Sequence, residues 1–459
     1  MQKFRLESDS IGQREVPIDA YYGVQSLRAR ENFKITGKTT HLEFVKAIVE
    51  IKKAAVITNG QAKVIDKKIV DAIKKACDEI LDGKFLDNFI VDAIQGGAGT
   101  SFNMNANEVI SNRAIEILGG QKGDYSIVHP NDHANCGQST NDVFPSAGKI
   151  ATIRLLQKAI EELKVFKDAL VNKAEEFSSV IKMGRTEMQD AVPVSFKQVF
   201  NAYASAISRD ITRFNKAIKE LSVLNMGGTA IGTGITANKD YIKNIVPKIA
   251  LITGLNLVQA DDLVDATQNL DSLVFVSGIV KSCAVNLSKM ANDLRLMSSG
   301  PRTGLGEIYL PPKQNGSSIM PGKVNPVIPE VVSQIAFNII GNDTTITMAA
   351  EAGQLELNAF EPVIFNSLFE SIERLTNGVK VFKTDCIDNL VVNEKNCKAE
   401  LDRCIGIVTA LCPYIGYTKS AYLAKKALKE DKTIKAVILE EKVLTEEEID
   451  KILDPSKMI

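Results

Sequence analysis

Apolar residues recur every three or four positions over long stretches of the chain, which places them on one face of an α-helix. In the segment 150–177, which contains no Gly or Pro, they fall at 153, 156, 160, 163, 166, 170, 174 and 177. A helix of about 28 residues would extend about 40 Å, longer than most helices of globular proteins. We therefore expect this helix to pack against parallel partners.

Three further segments have the same helical character. Residues 194–225 contain no Gly or Pro, residues 261–299 are interrupted only by Gly278, and a fourth helix begins near Pro326 and runs past Ala350. Long helices in succession predict a bundle, and the lack of strand–helix alternation disfavours a doubly wound sheet. The predicted fold class is therefore mainly α.

Changes in this pattern divide the chain into three predicted domains. We expect an N-terminal domain at 1–140, where elements are shorter, a central helical bundle at 141–392, and a small C-terminal helical domain at 393–459. In the last of these, Thr445 and Glu448 have the spacing of a capping box at a helix start.

Composition limits the partners of the chain. Lys and Arg total 55 against 56 Asp and Glu, so no net charge would attract nucleic acid or an acidic membrane surface. The seven cysteines include no C-x-x-C pair and are interpreted as reduced thiols. The N-terminus has no apolar signal core, and no window holds the roughly 18 uninterrupted apolar residues of a membrane span. We expect a cytoplasmic protein with a small-molecule partner.

Four polar segments interrupt the helical pattern and could carry chemistry. They are 96–101, 138–142, 184–190 and the loop 315–326, which combines two Gly, two Pro, two Ser, a Lys and Asn residues. Each segment taken alone is more often a turn or a helix cap. Together they offer many neutral hydrogen-bond donors, which suit a small dianion. The loop 315–326 is not a phosphate-binding loop, because Val324 stands where that motif needs Ser or Thr.

Histidine, the usual general acid or base near neutral pH, occurs only at His41, His129 and His133, outside the loop and outside 184–190. His129 and His133 have the helical spacing of metal ligands. However, Pro130 follows His129 directly, so a structural turn is the preferred interpretation and no metal site is predicted.

These segments resemble the fumarase/aspartase superfamily of helical lyases over essentially the whole chain. The segment GSSIMPGKVNP at 316–326 is highly specific for the superfamily but does not separate its members. REVPIDAYYGVQSLRARENF at 14–33, GGAGTSFNMNANEV at 96–109 and GNDTTITMAAEAGQLELNAFEPVI at 341–364 are closer to the aspartases than to class II fumarases. The resemblance implies reversible deamination of L-aspartate to fumarate and ammonia by anti-elimination through an aci-carboxylate intermediate.

The resemblance also implies roles for individual residues. Ser317 is the expected general base, on a mobile loop that closes over the substrate, and Lys323 helps to activate it. Donors to the β-carboxylate are expected from Thr100, Ser139, Thr140 and Ser318. The α-carboxylate is expected to be held by Thr186, Lys323 and Asn325, and Asn141 would lie near the amino group.

Glu187 departs from the family pattern, which usually has Gln or His after the Thr of this segment. A carboxylate beside the substrate's α-carboxylate would repel it, whereas one beside the ammonium would attract it and disfavour malate. The hypothesis is that Glu187 faces the amino group or is protonated.

The resemblance further implies a three-domain homotetramer with a core of about twenty helices and active sites shared between three subunits. No cofactor is expected to be required, and activation by a divalent cation is an open alternative, as is a secondary anion site at 129–132. The main alternative function is that of a class II fumarase, which hydrates fumarate to L-malate. A catalytically silent scaffold is disfavoured, because Thr186, Ser317, Lys323 and Asn325 are all present.

Overall fold

The computed structural model describes residues 3–459, and most of them are helical. The chain divides into two compact units. Unit 1 contains the residues up to Ile160 together with Thr212–Ser282 and Phe337–Leu375, and unit 2 contains Glu161–Ile211, Cys283–Ala336 and Thr376–Ile459. The three-domain division at 140 and 392 stays a prediction.

Sixteen α-helices lie within residues 3–459. They are α1 Val24–Asn32, α2 Leu42–Gln61, α3 Lys67–Leu81, α4 Thr100–Ile117, α5 Thr140–Glu176, α6 Phe196–Leu221, α7 Lys239–Thr253, α8 Leu263–Gln268, α9 Asp271–Met297, α10 Val327–Glu351, α11 Glu361–Phe382, α12 Glu394–Arg403, α13 Cys412–Ile415, α14 Tyr417–Glu430, α15 Ile434–Glu440 and α16 Glu446–Ile452. The mainly helical fold class is thus confirmed.

The strands are short and form four two-stranded sheets. They are β1 Phe4–Asp9 with β2 Gly12–Pro17, β3 Ile181–Thr186 with β4 Gln189–Ser195, β5 Val223–Leu224 with β6 Val258–Gln259, and β7 Ile308–Tyr309 with β8 Val391–Val392. The β5–β6 pair is parallel and the other three are antiparallel.

All four predicted long helices are present, with shifted ends. The first begins ten residues earlier than expected, at Thr140, and accommodates Pro145. The second begins only at Phe196, because Gln189–Ser195 is strand β4. The predicted interruption at Gly278 is wrong: α9 runs through Gly278, and the helices separate instead between Gln268 and Asp271.

The core of unit 1 contains a cluster of aromatic rings around Phe44. Its ring centroid lies 4.9 Å from that of Phe102, 4.8 Å from Phe144 and 5.4 Å from Phe365. All four side chains are buried. Tilted contacts at these distances stabilise aromatic pairs beyond the burial of their surface. The cluster therefore fixes α2, α4, α5 and α11 against one another.

Unit 2 contains a separate apolar cluster near the C-terminus. Leu411, Leu423, Val437 and Ile438 are fully buried there. The predicted capping box at Thr445 is confirmed, since Thr445 Oγ1 accepts a hydrogen bond from Glu448 N, and Thr445 N donates to Glu448 Oε2.

One helix that the structure describes, α9, is long and apolar enough by length and composition to cross a membrane. Half of its most apolar window is buried inside the chain. A core helix of a bundle has the same character.

Replacing Gly148 with Ala should destabilise the protein. A Cβ at Gly148, within α5, would lie 2.2 Å from Cζ of Phe365. Ala is favoured over Gly in a helix by up to about 1 kcal/mol, but overpacking costs about 1–3 kcal/mol. We expect a lower midpoint in urea unfolding. The matched control is Gly278→Ala in α9, where a Cβ meets no atom of the chain within 4 Å. Equal midpoints for the two variants would contradict this packing.

Candidate functional site

Two helix N-termini lie side by side in unit 1, at the start of α4 and of α5. The turn before α4 is tight, because Gly97 and Gly99 have φ of 88° and 87°. A Cβ at Gly99 would lie 2.2 Å from the ring of Phe144, so only glycine allows this approach to α5. Asn103 Nδ2 donates to Thr140 Oγ1 at 3.1 Å, which joins the first turns of the two helices. Thr100 and Thr140 are therefore brought together where helix dipoles favour an anion.

Ser139 and Asn141 complete this group. Ser139 caps α5, since its Oγ accepts from Asn141 N at 3.2 Å. The Asn141 side chain donates from Nδ2 to Ala230 O at 2.7 Å, which orients the amide and leaves Oδ1 as an acceptor. An acceptor at this position suits an ammonium group rather than a carboxylate.

The side chain of Asp142 stabilises this group of residues at the start of α5. It is fully buried, with Oδ1 accepting from Ser139 N at 2.9 Å and Oδ2 accepting from Gly227 N and Thr229 N, both at 3.1 Å. Burial raises the pKa of Asp142 to about 6, although these hydrogen bonds and Lys52 favour the charged form. The carboxylate thus ties the start of α5 to the segment after β5.

Lys52 lies in the same buried region. Its Nζ donates to Asn135 Oδ1 at 2.8 Å and to Gln138 Oε1 at 3.0 Å, directly before the Ser139 cap. Burial lowers the pKa of Lys52 to about 7, and Asp142 opposes this shift. Sequence reasoning missed Lys52, although its position between Ile51 and Ala55 on the apolar face of α2 was a usable signal.

The loop 315–326 in unit 2 is closed by its own hydrogen bonds. Gly316 N donates to Lys323 O at 2.8 Å, and Asn325 Nδ2 donates to Gly316 O at 2.9 Å. A Cβ at Gly316 would lie 2.6 Å from Lys323 O, so the closure requires glycine. Of the predicted site residues, Ser318 and Lys323 are exposed, and Asn325 is partly buried.

Ser317 occupies a distinct position within this loop. Its Oγ accepts hydrogen bonds from Ile319 N at 3.2 Å and from Met320 N at 2.9 Å. Backbone N–H groups that point at a hydroxyl oxygen also stabilise that oxygen as an alkoxide. Two backbone N–H groups of the loop therefore point at the Ser317 hydroxyl oxygen, and its role as general base stays a prediction.

Thr186 and Glu187 lie at the tip of the β3–β4 hairpin in unit 2. Glu187 and Met188 form its two-residue turn, and both have positive φ, 53° and 64°. Non-glycine residues adopt this region at a cost and are often found at functional sites. Both Thr186 and Glu187 are exposed. The role of Glu187 toward the substrate stays a prediction.

The structure groups the predicted site residues by unit. The helix N-termini of unit 1 bring together Thr100, Ser139, Thr140 and Asn141, and the loop and hairpin of unit 2 carry Thr186, Glu187, Ser317, Ser318, Lys323 and Asn325. Each group presents hydroxyls, amides or backbone N–H donors.

The side chains of His129 and His133 stabilise a π-helical turn, Pro130–Ala134, by accepting backbone hydrogen bonds. His129 Nδ1 accepts from Asn131 N and Asp132 N, and His133 Nδ1 accepts from His129 N at 2.9 Å. Among residues 3–459, no three His, Cys, Asp or Glu side chains converge as metal ligands do.

Two family models match the chain. Residues 12–341 match the lyase family, and residues 407–459 match the fumarase C C-terminus. The aspartate ammonia-lyase of Bacillus subtilis is 51% identical over 457 residues, which cover 100% of this chain and 96% of that protein. The aspartate ammonia-lyase of Helicobacter pylori is 52% identical over 457 residues, with 99% and 98% covered.

Solved structures share the fold over their whole length. The fumarate lyase:delta crystallin from Brucella melitensis bound to cobalt superposes with a TM-score of 0.96 at 45% identity, and 99% of each chain is covered. A class II fumarase from Schistosoma mansoni also gives a TM-score of 0.96, with 99% of each chain covered, but its identity is 36%. The chain thus shares its fold with both of these proteins, and its sequence identity is higher with the two aspartate ammonia-lyases than with the class II fumarase.

Replacing Lys52 with Met should flatten the pH dependence of stability. The unfolded chain holds the Lys52 proton up to an ordinary pKa near 10.5, whereas the folded pKa is about 7. Between these values the unfolded state binds more protons, so Lys52 makes stability fall as pH decreases toward 7. From about pH 7 to pH 9, the free energy of unfolding should rise by about 1 kcal/mol per pH unit more in the wild type than in the variant.

Urea unfolding at several pH values measures this difference. Lys53→Met, at the partly buried neighbour, is the matched control and should keep the wild-type profile. Parallel profiles for wild type and Lys52→Met would contradict the effect of burial.

Proposed function

Because this chain belongs to the fumarase/aspartase superfamily and has aspartate ammonia-lyases among its curated relatives, we propose that it deaminates L-aspartate to fumarate and ammonia through the residues described above. The proposal rests above all on Ser317, whose Oγ is held by two backbone N–H donors in a glycine-closed loop. A base that must carry negative charge needs such donors.

The reaction begins with removal of the C3 proton of L-aspartate by the Ser317 alkoxide. The electron pair of the broken C–H bond spreads into the adjacent β-carboxylate, which becomes a doubly negative aci-carboxylate. This pair then forms the C2–C3 double bond, the C2–N bond breaks, and the ammonium group leaves as ammonia. Fumarate and ammonia are the products, and Ser317 returns its proton to solvent.

Most of the reaction's free-energy barrier comes from placing extra negative charge on the β-carboxylate. Neutral hydrogen-bond donors lower that barrier. Thr100 and Thr140 stand at two adjacent helix N-termini, where hydroxyls, backbone N–H groups and dipoles favour an anion. Ser139 and Ser318 add hydroxyls. Buried Asp142 keeps the Ser139 cap in place without presenting its own charge to the substrate.

The α-carboxylate is assigned to Thr186, Lys323 and Asn325. Lys323 supplies the positive charge, and Asn325 Nδ2 has a second hydrogen beyond the one given to Gly316 O. Lys323 also favours the Ser317 alkoxide electrostatically when the loop closes over the substrate.

Glu187 is assigned to the substrate ammonium, together with Asn141 Oδ1. A carboxylate attracts an ammonium but gains much less from the hydroxyl of malate, so this residue favours ammonia-lyase over fumarase chemistry. The class II fumarase alternative is less supported, since the S. mansoni enzyme is 36% identical and the ammonia-lyases reach 52%.

We further propose a cytoplasmic homotetramer without a required cofactor, in which three subunits supply the parts of each active site. Exposed apolar side chains on the long helices support the assembly: Phe275 and Phe337 are 49% and 63% exposed in the single chain, and Met348 is 67% exposed. Such surfaces are usually covered by a partner.

Ser317→Ala should lower kcat for L-aspartate by about a thousandfold, the contribution of a general base. KM should change little, because binding of both carboxylates is assigned to other residues. Ammonia release at saturating L-aspartate measures the change. Ser178→Ala, at an exposed serine after α5, is the control and should keep wild-type activity. A variant at position 317 that retains most of its kcat would remove Ser317 from the role of base.

Glu187→Gln should lower kcat/KM for L-aspartate about tenfold, because one close charge pair near a protein surface contributes about 1–2 kcal/mol. Inhibition by L-malate, which carries a hydroxyl in place of the ammonium group, should change much less. Glu162→Gln on α5 is the matched control for the loss of one negative charge. Unchanged aspartate kinetics in Glu187→Gln would exclude the assigned contact.

A further inference from the structure

The β3–β4 hairpin contains a bulge next to two cationic side chains, those of Lys182 and Arg185. The strand register shifts between Met183 and Arg185, at Gly184. A Cβ at Gly184 would lie 2.6 Å from Val192 O, so glycine is required here. Side chains three residues apart point to opposite faces of a regular strand. The extra residue of this bulge lies in β4, where Ala191 and Val192 both stand opposite Gly184, and Lys182 and Arg185 both reach the carboxylate of Glu307 despite their spacing.

Glu307 is completely buried at the centre of this cluster. Arg185 Nη1 donates to Glu307 Oε1, and Lys182 Nζ lies 3.2 Å from Oε2. Burial raises the pKa of Glu307, while the two cations oppose the shift. The backbone is fixed as well, because Glu307 N donates to Met297 O and Asn393 N donates to Glu307 O, both at 2.8 Å. Both the side chain and the backbone of Glu307 are therefore held in place.

A second carboxylate holds the other side of the guanidinium. Arg185 Nη2 donates to Glu400 Oε2 at 2.9 Å, and Asn396 Nδ2 donates to Glu400 Oε1 at 3.3 Å. A planar guanidinium held between two carboxylates has a fixed orientation as well as a fixed position. Glu307 and Glu400 lie in unit 2, on segments distant in sequence from the hairpin, and a third carboxylate, that of Asp190 on β4, lies 3.7 Å from Arg185 Nε.

The hairpin has room to shift if the ion pairs of Lys182 and Arg185 with Glu307 are lost. A cavity of about 400 Å³ adjoins the cluster and is lined by Lys182, Arg185 and Glu307, with Tyr203 and Leu305 among its other residues. Apolar packing between the hairpin and this cavity is thus incomplete, so ionic contacts contribute more to holding the hairpin in place. Thr186 follows Arg185 directly, and the turn has only two residues, so displacement of Arg185 displaces the tip.

We propose that Glu307 is a positioning residue, which acts through Arg185 to hold Thr186 and Glu187 where they meet the substrate. Its burial excludes contact with the substrate itself. This inference rests on the proposed function, because Thr186 and Glu187 are substrate-binding residues only if that function holds. A purely structural ion cluster would instead contribute to stability and leave substrate affinity unchanged.

Glu307→Gln tests the proposal, because it keeps the size of the side chain but removes its charge. We expect KM for L-aspartate to rise about tenfold, the effect of losing one charge-assisted hydrogen bond, while kcat falls less than about threefold. Lys289→Met is the control, since Lys289 lines the same cavity but is largely exposed. A fall in kcat without a change in KM would overturn the proposal.

A double-mutant cycle with Thr186→Val separates positioning from a general loss of structure. If Glu307 acts through the hairpin tip, Glu307→Gln should raise KM less than about twofold once Thr186 has lost its hydroxyl. Effects on KM that multiply fully would show that the two residues act independently, against the proposal.

Hydrogen exchange provides a readout that does not depend on activity. Amides of residues 185–190 should exchange about tenfold faster in Glu307→Gln than in the wild type or in Lys289→Met, with other segments unchanged. Unchanged exchange there would overturn the positioning role even if activity were lost. Accelerated exchange in a protein whose wild type does not deaminate L-aspartate would retain the positioning and refute the proposed function.

If Glu307→Gln does not fold, Glu400→Gln replaces it in the measurements of KM and of hydrogen exchange. Glu400 has a side chain that is 22% exposed, so its replacement leaves no fully buried cation unpaired. We expect about a threefold rise in KM and a smaller acceleration of hairpin exchange. No change in either quantity would overturn the proposal.

Discussion

The central physical constraint on this protein is the accumulation of negative charge on one carboxylate of a substrate that already carries two. Solvent would stabilise that charge but would also quench the carbanion. In the proposed mechanism, hydroxyls and backbone N–H groups at the starts of α4 and α5 stabilise that charge instead, and the helix dipoles add to their effect. Gly99 makes this arrangement possible by letting the first turn of α4 approach Phe144.

Two buried carboxylates near the predicted site residues act on the backbone or on other side chains. Asp142 holds the N–H groups of Ser139, Gly227 and Thr229, and Glu307 holds Lys182 and Arg185 below the hairpin tip. Buried charges are costly unless paired or hydrogen-bonded, so each is fixed in position by the partners that it requires. In both units, this makes the buried carboxylate a rigid support for predicted site residues of the same unit.

The helical architecture could be predicted because the apolar repeat of three to four residues is a local property of the sequence. Helix ends were less predictable: Gly278 lies within α9, since packing can offset the modest helix cost of one glycine. The loop 315–326 stood out by its composition, whereas the role of Ser317 was implied only by the resemblance and stays a prediction. Lys52 could have been noticed from its position on the apolar face of α2, but Asp142 and Glu307 could not be identified as supports, because sequence does not distinguish a buried paired charge from a solvated one. The β3–β4 hairpin was likewise missed, because its strands are short and irregularly paired.

The most direct test of the account is the ultraviolet absorbance of fumarate, followed with the purified wild-type protein and either L-aspartate or L-malate. The account predicts that absorbance rises with L-aspartate, with release of one ammonia per fumarate, and does not rise with L-malate. A rise with L-malate alone would contradict it and assign the chain to fumarase chemistry, in which Glu187 has no ammonium to bind.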